Sequence, residues 1–221
     1  MAITVVQAAN NRQAASNVVT VTLTATSANN ALIAFSRQGA NNTNTVTMSD
    51  SSGSGTWVNL GIGYVSGDDS TNRHACWYKL NSASVTTVTC TWTAGSQPTD
   101  MVCYEIAGAS TTLGEDMSVK SFTSAATSLA TNLLTTANPN TILIACCGAG
   151  ADQTWGTVPS GFTFPTGGST VRCYVAYKVV SAAQSNTTCT ITDNVSASMA
   201  TLFFALQADL VPTARPMIRG S

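Results

Sequence analysis

Hydrophobic and polar residues alternate along many short stretches of this chain. In the stretches that begin at Val19, Val88 and Cys189, apolar side chains fall on one face and threonines on the other. This two-residue period is typical of a strand with one buried face. Threonine suits the solvent-exposed face because its branched side chain favours extended backbone. No stretch shows a sustained helical period. The pattern therefore predicts an all-β chain with almost no α-helix.

Other stretches are apolar on both faces. They lie at 31–35, 101–104, 141–147 and 199–206. Such runs are typical of central strands that are covered on both sides. Clusters of Gly, Pro, Asn and Ser separate the stretches, so we expect twelve or more short strands in a β-sandwich or barrel.

The chain contains an internal repeat. Residues 73–80 (RHACWYKL) align with 172–179 (RCYVAYKV) at an offset of 99 positions. Residues 32–34 and 143–145 (LIA in both) align at an offset of 111. A period of this length is too long for a solenoid and indicates two related halves.

The repeat suggests how the domain is organised. Two small sandwiches and two halves with one shared core both fit it. Because each half offers few strands and the join is short, we expect a single sandwich domain over 1–208, with half-repeats at about 1–110 and 111–208. Residues 209–221 contain two prolines and predict an extended C-terminal arm, while Leu-Val-Pro and Arg-Gly-Ser within them also resemble the ends of a thrombin-site linker.

Charged residues are scarce. Of 221 residues, 9 are Lys or Arg and 10 are Asp or Glu, which makes 9% charged and a net charge of −1, against about a quarter charged in an average domain. A nucleic-acid binder or a polybasic membrane-surface protein needs a basic patch that this chain lacks. No apolar run approaches the roughly 18 residues of a membrane span, and the N-terminus has no secretory signal. We expect no nucleic acid and no membrane among the partners.

The seven cysteines predict buried thiols. An odd number cannot all pair, most lie in apolar strand-like runs, and we expect at least five to be unpaired. There is no C-x-x-C pair and only one histidine, so the sequence predicts no metal site and no other cofactor.

Candidate catalytic residues are few. His74, the only histidine, lies on the same strand face as Cys76 and Tyr78, which predicts a half-buried structural side chain rather than a catalytic base. Glu105 lies in an apolar strand, and we expect an edge or interface charge paired with Lys79 or Lys178. No motif pairs two carboxylates across a substrate. The sequence predicts no catalytic residue and therefore no enzyme.

Two tryptophans are candidate glycan contacts. Trp57 and Trp155 each follow a threonine near a Gly-rich turn, where an exposed indole could stack on a sugar ring; core packing is the alternative. A separate set of apolar and basic residues is expected at interfaces between subunits or with a partner. The alternation places some apolar side chains on the outward face of their strands, where a monomer would expose them to water. The set comprises Met101, Cys103, Phe203 and, in the arm, Val211, Arg215, Met217, Ile218 and Arg219.

The order of these segments resembles a known group of proteins. An Ile-Thr-Val-Val strand is followed by Asn-Ala-Leu-Ile-Ala, Ser-Gly-Ser-Gly-Thr-Trp, a Trp-Tyr-Lys strand and Val-Cys-Tyr-Glu-Ile-Ala-Gly. This order is similar to Thr/Ser/Gly-rich, jelly-roll-like β-sandwich proteins of tailed-phage virions, of the capsid decoration (cement) or head-fibre type, and of bacterial surfaces. The resemblance covers roughly 3–207. It implies a jelly-roll-like sandwich used for assembly or adhesion, a homo-oligomer with a trimer favoured, and no catalytic residue.

Two classes of function follow. The first is a virion structural protein, a capsid decoration protein assembled in the host cytoplasm, whose partners are its own copies and the major capsid protein or another virion protein. Interfaces in a lattice would account for the shortage of charge. The alternative is an extracellular carbohydrate-binding module or adhesin of a phage tail or bacterial surface.

Overall fold

The computed structural model describes residues 2–39, 45–63, 73–93, 97–112 and 115–208. Within these ranges there is no helix, and the chain is an antiparallel all-β sandwich, which confirms the predicted fold class. The strands are β1 Thr4–Gln13, β2 Val18–Thr22, β3 Ala31–Gln38, β4 Val46–Asp50, β5 Val58–Gly63, β6 Arg73–Lys79, β7 Thr87–Trp92, β8 Thr99–Ala107, β9 Glu115–Ala130, β10 Thr141–Ala149, β11 Cys173–Val180 and β12 Thr190–Gln207.

Three sheets stack face to face. The first central sheet has the order β1-β8-β3-β6-β5, and the second has the order β11-β10-β12-β9. An outer sheet, β2-β7-β4, covers the first central sheet. The order β1-β8-β3-β6 facing β2-β7-β4 is the arrangement of a jelly roll, in which antiparallel strands alternate between two layers.

The central sheets of the two halves share a strand order, β1-β8-β3-β6 in the first and β9-β12-β10-β11 in the second, and they share a register. In the first half Leu32 of β3 pairs with Lys79 of β6 and with Glu105 of β8. In the second half Leu143 of β10 pairs with Lys178 of β11 and with Ala205 of β12. These are the positions that the sequence repeat aligns, so the repeat corresponds to the same strands in each half.

Three hydrophobic cores hold the layers together. Ile33, Phe35 and Tyr104 of the first central sheet pack with Ile144 and Phe204 of the second, which makes a core shared by both halves. A second core lies between the first central sheet and the outer sheet. A third lies between the second central sheet and segments that include Leu134, Trp155 and Phe164. The second and third cores each belong to one half, and the shared core joins the two halves.

The prediction that Met101, Cys103 and Phe203 are exposed on a monomer is wrong. All three side chains are 0% exposed. Met101 and Cys103 belong to the core under the outer sheet, and Phe203 belongs to the core on the far side of the second central sheet. The alternation correctly placed these side chains on the strand faces that point away from the shared core. It could not show that other segments of the same chain cover those faces. These three residues therefore give no reason to expect a subunit interface.

Two strands are longer than the alternation predicts. β9 has 16 residues and β12 has 18, and the two strands pair antiparallel along most of their length at one edge of the second central sheet. Their pairing shifts register between Thr192 and Ala197 and again before Met199. Such β-bulges bend a strand without ending it, so two stretches that the sequence separates form one continuous strand.

The cysteines are free and buried, as predicted. All seven have unpaired thiols, and six of them lie in strands. Cys189 lies one residue before β12. Burial of an uncharged thiol among apolar side chains is favourable, so these residues behave as small hydrophobic groups of the cores.

Candidate functional site

Trp155 lines a surface depression of about 450 Å³ in the second half. Its indole Nε1 donates to the Thr170 carbonyl at 2.7 Å, which fixes the ring against the segment before β11. The ring is half-buried, packs on the third core and lies 5.4 Å from the Tyr174 ring. The walls are uncharged: Gln153, Thr154, Trp155, Phe164, Ser169, Thr170 and Val171.

Aromatic stacking makes the wall of this depression rigid. Phe164 lies parallel to Tyr174, with ring centroids 4.7 Å apart. The turn that precedes Tyr174 contains Gly167, whose φ of 86° is one that side-chain-bearing residues rarely adopt. A Cβ at Gly167 would lie 2.5 Å from the Ala8 carbonyl oxygen, so glycine also allows the turn to pack against β1. The aromatic wall is thus held by both halves of the molecule.

Two polar groups beside this depression have no partner among the described residues. The Gln153 side chain is 6% exposed; its Oε1 accepts from the Val195 amide at 3.2 Å, but its Nε2 donates to no described atom. The hydroxyl of Tyr174, in a residue 2% exposed, is likewise without a described partner. Buried polar groups are nearly always hydrogen-bonded, so these two groups are exceptions among the described residues.

Trp57 lines a smaller depression of about 200 Å³ in the first half, with Met48, Ser49, Asp50, Gly53, Ser54 and Gly55. Its Nε1 donates to Asp50 Oδ2 at 2.8 Å. Lys79 Nζ lies 2.6 Å from the same oxygen, and the side chains of Lys79 and Asp50 are 1% and 3% exposed. The polar groups around Trp57 are therefore paired with each other. The two predicted tryptophans occupy different surroundings, and the site around Trp155 is the more open one.

Glu105 is a structural residue in the described part of the fold. It is 1% exposed, and β8 lies between β1 and β3, so the predicted edge position is wrong. Its carboxylate accepts from Gln7 Nε2 at 2.6 Å, from the Ser27 amide at 2.8 Å and from Asn30 Nδ2 at 2.6 Å. The expected pairing with Lys79 or Lys178 is also wrong, because Lys79 pairs with Asp50.

His74 lies on an inward face, as predicted, and is more buried than the half-buried side chain that the sequence suggested. It is 7% exposed, and its ring is parallel to Phe35 with centroids 6.1 Å apart. A Cβ at Gly148 would lie 1.9 Å from His74 Cδ2, so the imidazole needs a glycine on the facing sheet. This close packing leaves no room for a substrate between His74 and Gly148.

Arginines and aspartates cluster where the two halves meet at one end. Arg12 donates through Nη1 and Nη2 to the two carboxylate oxygens of Asp152, each at 3.1 Å, and Arg172 Nε donates to the same carboxylate. Arg37 and Asp100 lie beneath them, 1% and 0% exposed. Burial lowers the pKa of Arg37 to about 10 and raises the pKa of Asp100. This cluster links β1 of the first half to the segments after β10 and before β11.

The sequence singled out Trp155 but missed the groups around it. Gln153 and Val171 give no periodic signal, and Phe164 becomes part of the wall only through its stacking on Tyr174. The predicted contacts of the arm, Val211, Arg215, Met217, Ile218 and Arg219, lie outside the described residues.

The described residues contain no cluster of three or more His, Cys, Asp or Glu side chains that could hold a metal ion. Within the same ranges, no helix is long and apolar enough to span a membrane. In comparisons with protein-family models, with curated proteins and with solved structures, no match to this chain was found.

Proposed function

We propose that the chain is a non-enzymatic virion structural protein, a decoration protein that stabilises a phage head through contacts with its own copies and with the capsid. The observation that supports this most is the distribution of charge. Among the charged side chains that the structure describes, Asp152 is the only exposed one, and Arg12 and Arg172 both bind it. The accessible surface of the described residues is therefore formed mainly by uncharged side chains.

A charge-poor surface suits a protein that is covered by neighbours. Removing a charged group from water costs several kcal/mol unless it is paired, whereas hydroxyl and amide groups can exchange water for a partner at little cost. A free monomer of the same size gains solubility from exposed charge. The small number of exposed charged side chains among the described residues therefore favours an assembly of many contacting copies over an isolated monomer. This agrees with the resemblance to virion proteins.

The test is the oligomeric state and its dependence on the C-terminal arm. Light scattering on the full chain should give a mass several times 22.7 kDa, with a trimer expected from the resemblance. Deletion of 209–221 should leave a folded protein that assembles less. A monomer at all concentrations, together with no binding to phage heads, would contradict the proposal.

A carbohydrate-binding function is the second candidate, and the Trp155 depression favours it. A half-buried indole, a neighbouring Phe164 and the polar lining residues Thr154, Ser169 and Thr170 combine a stacking surface with hydrogen-bonding groups. Because none of the lining residues is charged, the expected ligand is a neutral sugar. The ligand would be held by stacking and by hydrogen bonds to uncharged groups.

A glycan array with matched tryptophan variants tests this second candidate. Trp155→Ala should weaken binding about tenfold or more, since aromatic stacking contributes about 0.5–1.5 kcal/mol and further area is lost. Trp57→Ala, the corresponding change in the first half, should leave binding unaltered. Binding to no glycan, or equal loss with both variants, would contradict a site at Trp155.

A further inference from the structure

Lys79 and Asp50 form a buried pair that differs from the other ion pairs described. Lys79 Nζ lies 2.6 Å from Asp50 Oδ2, and neither side chain is more than 3% exposed. Asp50 ends β4 of the outer sheet, and Lys79 ends β6 of the first central sheet. The pair therefore connects two layers of the first half. An amine, unlike the guanidinium of Arg12 or Arg172, becomes a nucleophile once it loses a proton.

We propose that Lys79 and Asp50 condense into an intramolecular amide bond that covalently joins β6 to β4. Lys79 Nζ attacks Asp50 Cγ, a bond between them forms, and the bond from Cγ to Oδ1 breaks. Two protons of the ammonium leave with Oδ1 as water, and the third stays on the amide nitrogen. Atoms and charge balance, since an ammonium and a carboxylate give a neutral amide and water, with no oxidant or other reactant.

The neighbouring groups are placed to assist this step. The indole N–H of Trp57 donates to Oδ2 at 2.8 Å, which stabilises the negative charge that develops on this oxygen during attack. The Ser52 hydroxyl contacts Asp50 Oδ1 and lies 3.1 Å from Lys79 Nζ. It can therefore relay a proton from the amine to the oxygen that leaves. After the reaction, Oδ2 is the amide carbonyl and keeps its hydrogen bond from Trp57.

Burial supplies the driving force. An ion pair removed from water is often no more stable than a neutral replacement, because both charges lose their hydration. Condensation removes both charges at once. Holding the two groups in contact also replaces a bimolecular step by an intramolecular one, for which effective concentrations reach about 10⁵–10⁸ M. The lysine and aspartate are thus bound in an arrangement that favours amide formation.

The second half contains a matched control. Lys178 occupies the same register position as Lys79, and each lies against a glycine with a φ of 76°, Gly161 and Gly55 respectively. No described carboxylate lies within ion-pair distance of Lys178. The reaction is therefore expected at Lys79 and not at Lys178.

Intact-mass spectrometry of the full chain tests the proposal. The folded protein should be lighter than its sequence by one water molecule, and Lys178→Arg should keep this difference. Lys79→Arg, which preserves the charge and the ion pair, should restore the sequence mass. Trypsin should fail to cut after Lys79 and should release a branched peptide that joins 38–73 to 74–120.

Two outcomes would overturn the proposal. One is a folded full chain with the unaltered sequence mass and normal cleavage after Lys79. The other is a water loss that persists in Lys79→Arg, which would indicate a cyclic imide at Asp50 instead. Trp57→Phe offers a check that does not remove either reacting group: it deletes one hydrogen-bond donor and should slow amide formation about tenfold or more.

Discussion

Glu105 illustrates how single charged residues are used in this fold. Its carboxylate accepts three hydrogen bonds and is almost fully buried, and these bonds come from β1 and from the segment that precedes β3. A buried carboxylate is tolerated when donors surround it. In the second half Ala205 takes the equivalent position, so the network belongs to one half only. This asymmetry makes Glu105 a determinant of local structure in the first half.

Glu105→Gln should destabilise the protein by about 2–3 kcal/mol, because an amide N–H₂ would replace an oxygen at which donors point. Urea unfolding measures this change. Asp152→Asn is the control, since it makes the same acid-to-amide change on a side chain that is 54% exposed. If the two variants were equally stable, Glu105 would not have the structural role described above.

The cysteines should be unreactive in the native protein. Burial raises the pKa of Cys90 to about 12 and the pKa of Cys189 to about 12, and the reactive species is the thiolate. A chromogenic disulfide reagent should detect almost no thiol before denaturation and seven after it. Two or more fast-reacting thiols in the native state would contradict the burial of the cysteines.

At the scale of elements, the cluster at Asp152 ties β1 to the second half. The hydrogen bonds from Arg12, followed by those from Arg172, lower the pKa of the Asp152 carboxyl. A carboxyl whose pKa is lower in the folded state stabilises the fold above its unfolded pKa, and this contribution is lost as pH falls through the folded pKa. Burial raises the pKa of Asp100, which lies beneath Asp152, so its contribution to stability has the opposite pH dependence.

Asp152→Asn should therefore lose stability at neutral pH and match the wild type in acid. The loss should be at most about 1 kcal/mol, because the side chain is 54% exposed and solvent screens the pair. Urea unfolding at several pH values measures the difference between variant and wild type, in which the contribution of Asp100 largely cancels. Arg12→Ala should show the same pH dependence. A difference that stays constant with pH would contradict the role of the ion pair.

At the scale of the whole molecule, the shared core makes the two halves interdependent. Ile33, Phe35 and Tyr104 of one half cover Ile144 and Phe204 of the other, and all are nearly fully buried. Either half alone would expose this apolar face to water. We therefore expect the described fold to unfold as one cooperative unit.

Phe204→Ala should lower stability by about 3–5 kcal/mol while keeping a single unfolding transition. Circular dichroism and tryptophan fluorescence during urea unfolding provide two probes of that transition, since tryptophans lie in both halves. Val195→Ala, at a side chain that is 39% exposed, is the control and should change little. Separate transitions by the two probes would show that the halves unfold independently.

The alternation and the apolar runs were sufficient to predict an all-β chain and the buried face of several strands. Val19, Val21 and Trp92 lie on the faces that the pattern assigns to the core. The repeat likewise predicted which segments of the two halves correspond, and the structure shows that they pair in the same register, Leu32 with Lys79 and Leu143 with Lys178. These features follow from the sequence because they depend on local backbone preference and on a two-residue period.

Long-range packing decided the rest. Parity placed Met101, Cys103 and Phe203 on the faces away from the shared core, but only the tertiary structure covers those faces with the outer sheet and with the outer segments of the second half. In the same way, the partners of Lys79 and Glu105 come from distant segments and could not be read from neighbouring positions. Local sequence sets which way a side chain points, whereas the free energy of burying it depends on what the folded chain brings against it.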